Sequence, residues 1–163
     1  MTRNMFIPAV ALALGLLAGA GTTATSHAAP AAKATTVTVY KTPWCGCCKV
    51  WTDAMEEAGY KVDIHDMEDL SAVKKQAGVG ENLEACHTAV IGGDRKYVLE
   101  GHVPLEAVRK LMSEMPDVRG IAVPGMPSGS LGMGYDPQAR YTVYSFTGSA
   151  GETPATFMET GAE

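Results

Sequence analysis

Three cysteines stand within four residues in Pro43-Trp44-Cys45-Gly46-Cys47-Cys48-Lys49. Cys45 and Cys48 have the C-x-x-C spacing of a redox pair. A helix starting there would point its unpaired backbone N–H groups at the first sulfur and favour its thiolate, so Cys45 is expected to be the most acidic and accessible of them. Disulfide exchange and metal capture both need that thiolate, and Cys47 separates the two chemistries. Exchange uses two sulfurs, and a third beside them invites scrambling. Three thiolates on one turn form a dense soft-donor patch, which selects Cu(I) and could bridge several ions. Zinc competes, but its structural sites usually draw ligand pairs from separate knuckles.

Cys86-His87 could bring a fourth thiolate and an imidazole to the same place; the alternative is a small buried Cys86, or one bonded to Cys47. Met126 and Met133 lie in a Gly- and Pro-rich stretch with no helical or strand periodicity, so they read either as a thioether arm over the site or as plain surface loop. Met55, Met67, Met112 and Met115 fall on or beside helical patterns and are expected to pack. His102, in Gly101-His102-Val103-Pro104, reads more simply as a turn residue than as a ligand, and His65 as solvent-facing. The chain carries no catalytic triad, phosphate loop or zinc-protease motif.

The elements that must position these residues follow from periodicity. Val37 and Val39 alternate with polar residues, predicting a strand over 36–41. From Cys45 the pattern turns helical through Cys47, Val50/Trp51, Ala54 and Ala58, with Gly59 suited to a left-handed stop. A strand over 61–65 follows. Asp66 is the expected N-cap of a helix carrying Leu70, Val73 and Ala77, closed by Gly78. Strands over 87–91 and 96–100 flank a Gly92-Gly93-Asp94 turn. Pro104 opens a last helix with Leu105, Val108, Leu111/Met112 and Met115 on one face, ended by Pro116. The order is β-α-β-α-β-β-α, an α/β layer in which the third strand lies beside the first. Residues 122–136 form a Gly/Pro/Met-rich extension, 140–146 read as an edge strand, and 147–163 as a flexible tail.

Trp44-Cys45-Gly46-Cys47-Cys48-Lys49 on a strand-to-helix turn resembles the thioredoxin W-C-G-P-C-K motif, with Cys47 in place of proline. C-G-C-C together with Cys86-His87-Thr88, Glu100-Gly101-His102-Val103-Pro104 and Pro124-Gly125-Met126-Pro127 resembles the CopG-type periplasmic copper-resistance proteins, long catalogued as a domain of unknown function. The resemblance spans roughly 37–133. It implies a thioredoxin-like fold that holds Cu(I) on Cys45, Cys47, Cys48 and Cys86 in a thiolate-bridged cluster, with a copper redox role in metal tolerance. His87, Met126 and Met133 complete the candidate metal set. One departure matters: where thioredoxin-like enzymes carry a cis-proline before the third strand, this chain has Ala85-Cys86-His87-Thr88. That puts substrate-protein binding in doubt and favours metal.

The remaining sequence fits such a role. Arg3, the apolar stretch 6–20 and Ser26-His27-Ala28 read in order as a secretory signal over 1–28, with 29–35 as a linker. Pro8 and the short apolar run argue against a permanent membrane anchor. The domain proper is expected over 36–146 and its setting in the periplasm, where idle thiols tend to oxidise. A net charge of −5 over 163 residues argues against nucleic acid as partner. The expected function is copper tolerance through Cu(I) sequestration, transfer or redox conversion, as a copper oxidoreductase if turnover occurs. Copper ions and another periplasmic copper protein are the expected partners. The rival is a periplasmic thiol-disulfide oxidoreductase using Cys45 and Cys48. A structural module with two disulfides is the third.

Overall fold

Alternation of polar residues with Val37 and Val39 makes Thr36–Lys41 the first strand, β1, and both valines are fully buried. Helix α1, Gly46–Glu57, follows after the Thr42-Pro43-Trp44 break and buries Cys48, Trp51, Thr52 and Met55 on one face. Strand β2, Lys61–Asp66, runs parallel to β1, as a strand returning through a helix must. Helix α2, Ser71–Ala77, closes on Gly78 in the left-handed conformation (φ 78°) that the sequence suggested. Strands β3, His87–Gly92, and β4, Lys96–Glu100, form an antiparallel hairpin, with β3 also antiparallel to β1. Helix α3, Leu105–Glu114, then leads to β5, Gly120–Ala122, which lies parallel to β4. Strands β6, Tyr141–Phe146, and β7, Ala155–Thr160, complete the chain.

This computed structural model describes residues 35–134 and 136–161. The leader expected over 1–28 and all but the last residue of the linker lie outside the described residues. Among the described residues no helix is long and apolar enough to cross a membrane. The strands form a single mixed sheet in the order β2-β1-β3-β4-β5-β6-β7. The α/β class and the β-α-β-α-β-β-α order both hold, and β3 lies beside β1.

Strand alternation assigns each residue to a face. Val37, Val39, Ala89, Ile91, Tyr97, Leu99 and Ile121 join Trp51 and Met55 of α1 and Val108 and Leu111 of α3 in one core. Their strand neighbours Val98 and Ala122 pack with Ala77 below α2 on the opposite face, together with Leu83 and Phe146. The same parity sends His87 to the α1 side and Thr88 and Glu100 to the α2 side.

Four expectations are corrected. The strand expected at the edge is interior, because β6 pairs β5 on one side and β7 on the other. Residues 147–163 are therefore not all tail: Ala155–Thr160 extend the sheet. Opposite the Val143–Tyr144 step the pairing jumps from Met158 to Thr156, and the extra residue, Phe157, breaks the alternation of β7 that would have signalled the strand. Asp66 ends β2 rather than capping α2. Leu70 stands at the cap position, and the Asp69 carboxylate accepts the Ser71 N–H at 2.9 Å. Met115 leaves the α3 face, because it takes the left-handed conformation (φ 46°) at the helix end and is exposed.

Candidate metal centre

The turn between β1 and α1 places the first three cysteines. Cys45 is the N-cap of α1 in an extended conformation, and its Sγ accepts the Cys48 backbone N–H at 3.3 Å. Sulfur here serves as the side-chain acceptor that serine or aspartate usually provides at this position. Cys45 and Cys48 are joined as a disulfide, while Cys47 and Cys86 are free thiols. Cys47 Sγ lies 3.6 Å from Cys45 Sγ.

The second half arrives through topology. Because β3 runs antiparallel to β1, its first residue, His87, stands opposite Lys41 at the end of β1 that feeds α1. Cys86 Sγ thereby comes to 3.4 Å from Cys48 Sγ. One sulfur from each of the four cysteines lies within 4.8 Å of every other, as does one donor from each of Cys48, Cys86, His87 and His102. His102 Nε2 is 2.9 Å from Cys86 Sγ and His87 Nδ1 is 3.5 Å from it.

Both imidazoles are fully buried. The Trp51 ring lies against His87 at 4.5 Å between centroids, and its Nε1–H donates to Val103 O at 2.8 Å, tying α1 to the residue after His102. Burial, reinforced by His102, Lys74 and Lys41, lowers the His87 pKa to about 3, so the ring is neutral. Burial lowers that of His102 too. Burial, with the neighbouring Cys47, raises the Cys86 thiol to about 12. The low-dielectric pocket favours neutral donors, and a bound cation would reverse that preference at sulfur.

The donor chemistry fits a soft cation. The ring nitrogens beside Cys86 Sγ are His102 Nε2 and His87 Nδ1, while the other nitrogen of each ring, His87 Nε2 and His102 Nδ1, is buried with no hydrogen-bond partner among the described residues. Neither donor group contains a carboxylate. Thiolates with neutral imidazoles suit Cu(I) and zinc, and do not suit hard oxygen-seeking ions.

The structure thus brings Cys45, Cys47, Cys48, Cys86 and His87 together. Met126 is exposed and Met133 half-buried. The loop carrying them is nevertheless fastened to the cluster at both ends. Ala85 bridges Gly125, whose N–H bonds Glu84 O at 3.1 Å. At the other end a Cβ on Gly132 (φ +97°) would fall 2.6 Å from Cys47 O, so only glycine lets the loop lie on the first turn of α1. The two ends of the loop thus lie against the two chain segments that carry the cluster, while Met126 is exposed.

His102 is the residue that sequence reasoning undervalued. Its placement depends on Gly101 (φ +72°), where a Cβ would collide with Ala85 Cβ and Val123 O, each at 2.5 Å. The glycine before the histidine was the available signal, marking a close backbone approach rather than an ordinary turn. His65 lies on exposed β2, as expected.

A family model described as a protein of unknown function, DUF411, matches residues 83–133, the segment that carries Cys86, His87 and His102. No curated protein matches the chain. Two solved structures do, both described as copper resistance protein CopG. Form 1 is 38% identical, covers 80% of this chain and 100% of its own, and superposes with a TM-score of 0.70. Form 2 is 38% identical, covers 78% and 99%, and gives 0.69.

Proposed function

The chain belongs to the CopG copper-resistance family, and from that premise we propose that it is an exported protein that holds Cu(I) on Cys45, Cys47, Cys48 and Cys86. His87 and His102 complete the donor set, and the loop bearing Met126 and Met133 closes over it. The observation carrying this reading is the convergence of four sulfurs from two chain segments within 4.8 Å of one another. Bound copper would supply a soft cation able to accept several bridging thiolates and to change oxidation state.

The chain's own residues supply the rest. The α1 N-terminus favours thiolate at Cys45. Apolar surroundings keep the two imidazoles neutral and available as donors. Because Cys45 and Cys48 are bonded to each other in the structure, copper loading on all four sulfurs first requires two electrons and two protons to open that bond. Disulfide and full metal shell use the same atoms and exclude one another. The role that follows is copper tolerance in the periplasm, by sequestration, by transfer to another copper protein or by redox conversion.

Anaerobic titration of the reduced protein with Cu(I) against a chromophoric chelator tests this. Wild type should compete for Cu(I) and develop ultraviolet thiolate-to-copper absorption, while Cys47→Ser should lose both stoichiometry and affinity. Unchanged values in that variant would remove the cluster reading. The Cys45–Cys48 bond also supports the rival, a thiol-disulfide oxidoreductase. There Cys47→Ser would reduce a model disulfide at the wild-type rate, whereas Cys45→Ser and Cys48→Ser would not.

A further inference from the structure

Beneath the donor cluster, on the α2 side of the sheet, lies a buried ion pair that the copper reading does not use. Lys74 of α2 and Glu100 of β4 are bonded to one another, with side chains 8% and 0% exposed. Two of their remaining bonds go to the residue before Cys86 and two to Thr88 of β3. Glu100 Oε1 accepts the Ala85 N–H at 2.8 Å, and Lys74 Nζ donates to Ala85 O at 2.9 Å. The Thr88 hydroxyl donates to Glu100 Oε2 at 2.6 Å and accepts from Lys74 Nζ at 3.3 Å.

A buried ion pair is weak evidence for stability, because the desolvation of two charges offsets most of their attraction. This pair therefore calls for another role, and its bonds indicate one. The ladder between β1 and β3 starts at His87, so Cys86 lies outside it. The carboxylate and the ammonium hold both polar groups of the preceding peptide residue instead. Glu100 also stands two residues before His102. One carboxylate thus couples the segment carrying Cys86 to the segment carrying His102.

We propose that Lys74 and Glu100 are positioning residues for the metal donors: by gripping both the N–H and the C=O of Ala85 they fix Cys86 against Cys48 and His102. The inference rests on the copper reading for its purpose, but the grip on Ala85 is a property of the metal-free chain. It fills, with a charged clamp, the place before the third strand where thioredoxin-like enzymes carry a proline.

The double variant Lys74→Met/Glu100→Met separates this role from a merely structural one. Replacing a buried pair with apolar residues of similar volume commonly leaves a fold intact, yet it removes every side-chain bond to Ala85. In reduced, metal-free protein, backbone amide order parameters at 84–87 should fall from about 0.85 to below about 0.6, with the rest of the sheet unchanged. Cu(I) affinity, measured by chelator competition, should fall about 10- to 100-fold, the usual effect of losing an outer-shell partner. Order parameters that stay near the wild-type value at 84–87 in a folded double variant would overturn the proposal. If the double variant does not fold, Thr88→Val decides. It removes one anchor of the carboxylate and should weaken Cu(I) binding about fivefold, the effect of one lost hydrogen bond of about 1 kcal/mol; unchanged affinity there would also overturn it. Failure of wild type to bind Cu(I) would remove the copper reading, while the order-parameter comparison would still decide whether the pair holds Ala85.

Discussion

The two halves of the donor cluster are built in opposite ways. Cys45, Cys47 and Cys48 sit on a single helix turn, with Gly46 and Trp44 beside them open to solvent, and sequence spacing alone brings their sulfurs together. Cys86, His87 and His102 come from two strands' ends, are buried or half-buried, and meet the turn only because β3 pairs with β1 and β4 with β3. The first half is a local property, present as soon as α1 forms. The second is a property of the whole sheet. A soft ion bound by both would report that the tertiary fold is complete: exposed Trp44 and Gly46 leave access beside the half-buried Cys45 and Cys47, while buried Cys48, His87 and His102 supply fixed donors.

The sharpest way to break this comparison is to remove sulfur from each half in turn. Cys86→Ser should weaken Cu(I) binding by more than the ~100-fold that loss of an outer-shell partner causes, as read by chelator competition. If the C-G-C-C turn alone retains wild-type affinity, the buried half is not part of the site.

The buried half should also show itself through pH in the metal-free protein. The His87 pKa is lowered by burial to about 3 from an ordinary 6.5. Below pH 6.5 the unfolded chain takes up a proton that the folded chain refuses until about pH 3, so this contribution to stability is complete above 6.5 and lost as pH falls between those values. Urea unfolding at pH 5 should be about 2 kcal/mol less favourable to the folded state than at pH 7, at ~1.4 kcal/mol per unit. His87→Phe should flatten most of that slope. At alkaline pH the sign reverses in origin. Cys86 keeps its proton to about 12 against an ordinary 9.0, so stability should fall as pH rises through that interval.

A smaller effect tests the link between the halves. Trp51→Phe keeps the ring against His87 but deletes the bond to Val103 O, leaving a buried carbonyl without that donor. It should cost about 1–2 kcal/mol in thermal or urea unfolding. The smallest effect belongs to the loop. Met126→Leu, at an exposed position, should change Cu(I) affinity by no more than about twofold, within the ±0.5 kcal/mol typical of surface substitutions. A larger loss would make Met126 a ligand.

Legibility in the sequence follows the same division. The alternation of Val37 and Val39, the Cys45 start of α1 and the Gly78 stop of α2 are local signals, and each is found where the residues indicated. The placement of β3 beside β1, and with it the approach of Cys86, was legible because it follows from the order of the elements. His102 was not, since a histidine after a glycine looks like any turn until Gly101 is seen packed against Ala85. The Lys74–Glu100 pair was equally invisible: 26 residues separate its partners, and neither position departs from ordinary amphipathic patterning. Strand β7 escaped because its own alternation is broken at Phe157, which the pairing with β6 skips, and because glycine-rich turns precede it.

The parity of β3 has one more implication, for how the gene can drift. His87 faces one layer and Thr88 the other, so a single-codon deletion between Leu83 and His87 would rotate the strand's whole alternation by half a period. An imidazole would then be delivered to the Lys74 side and a hydroxyl to Trp51. Length in that connector is consequently far less free to vary than composition, and the same holds for the Gly92-Gly93-Asp94 hairpin at the far end of the strand, whose length sets the register of β4 and with it the face that Glu100 takes.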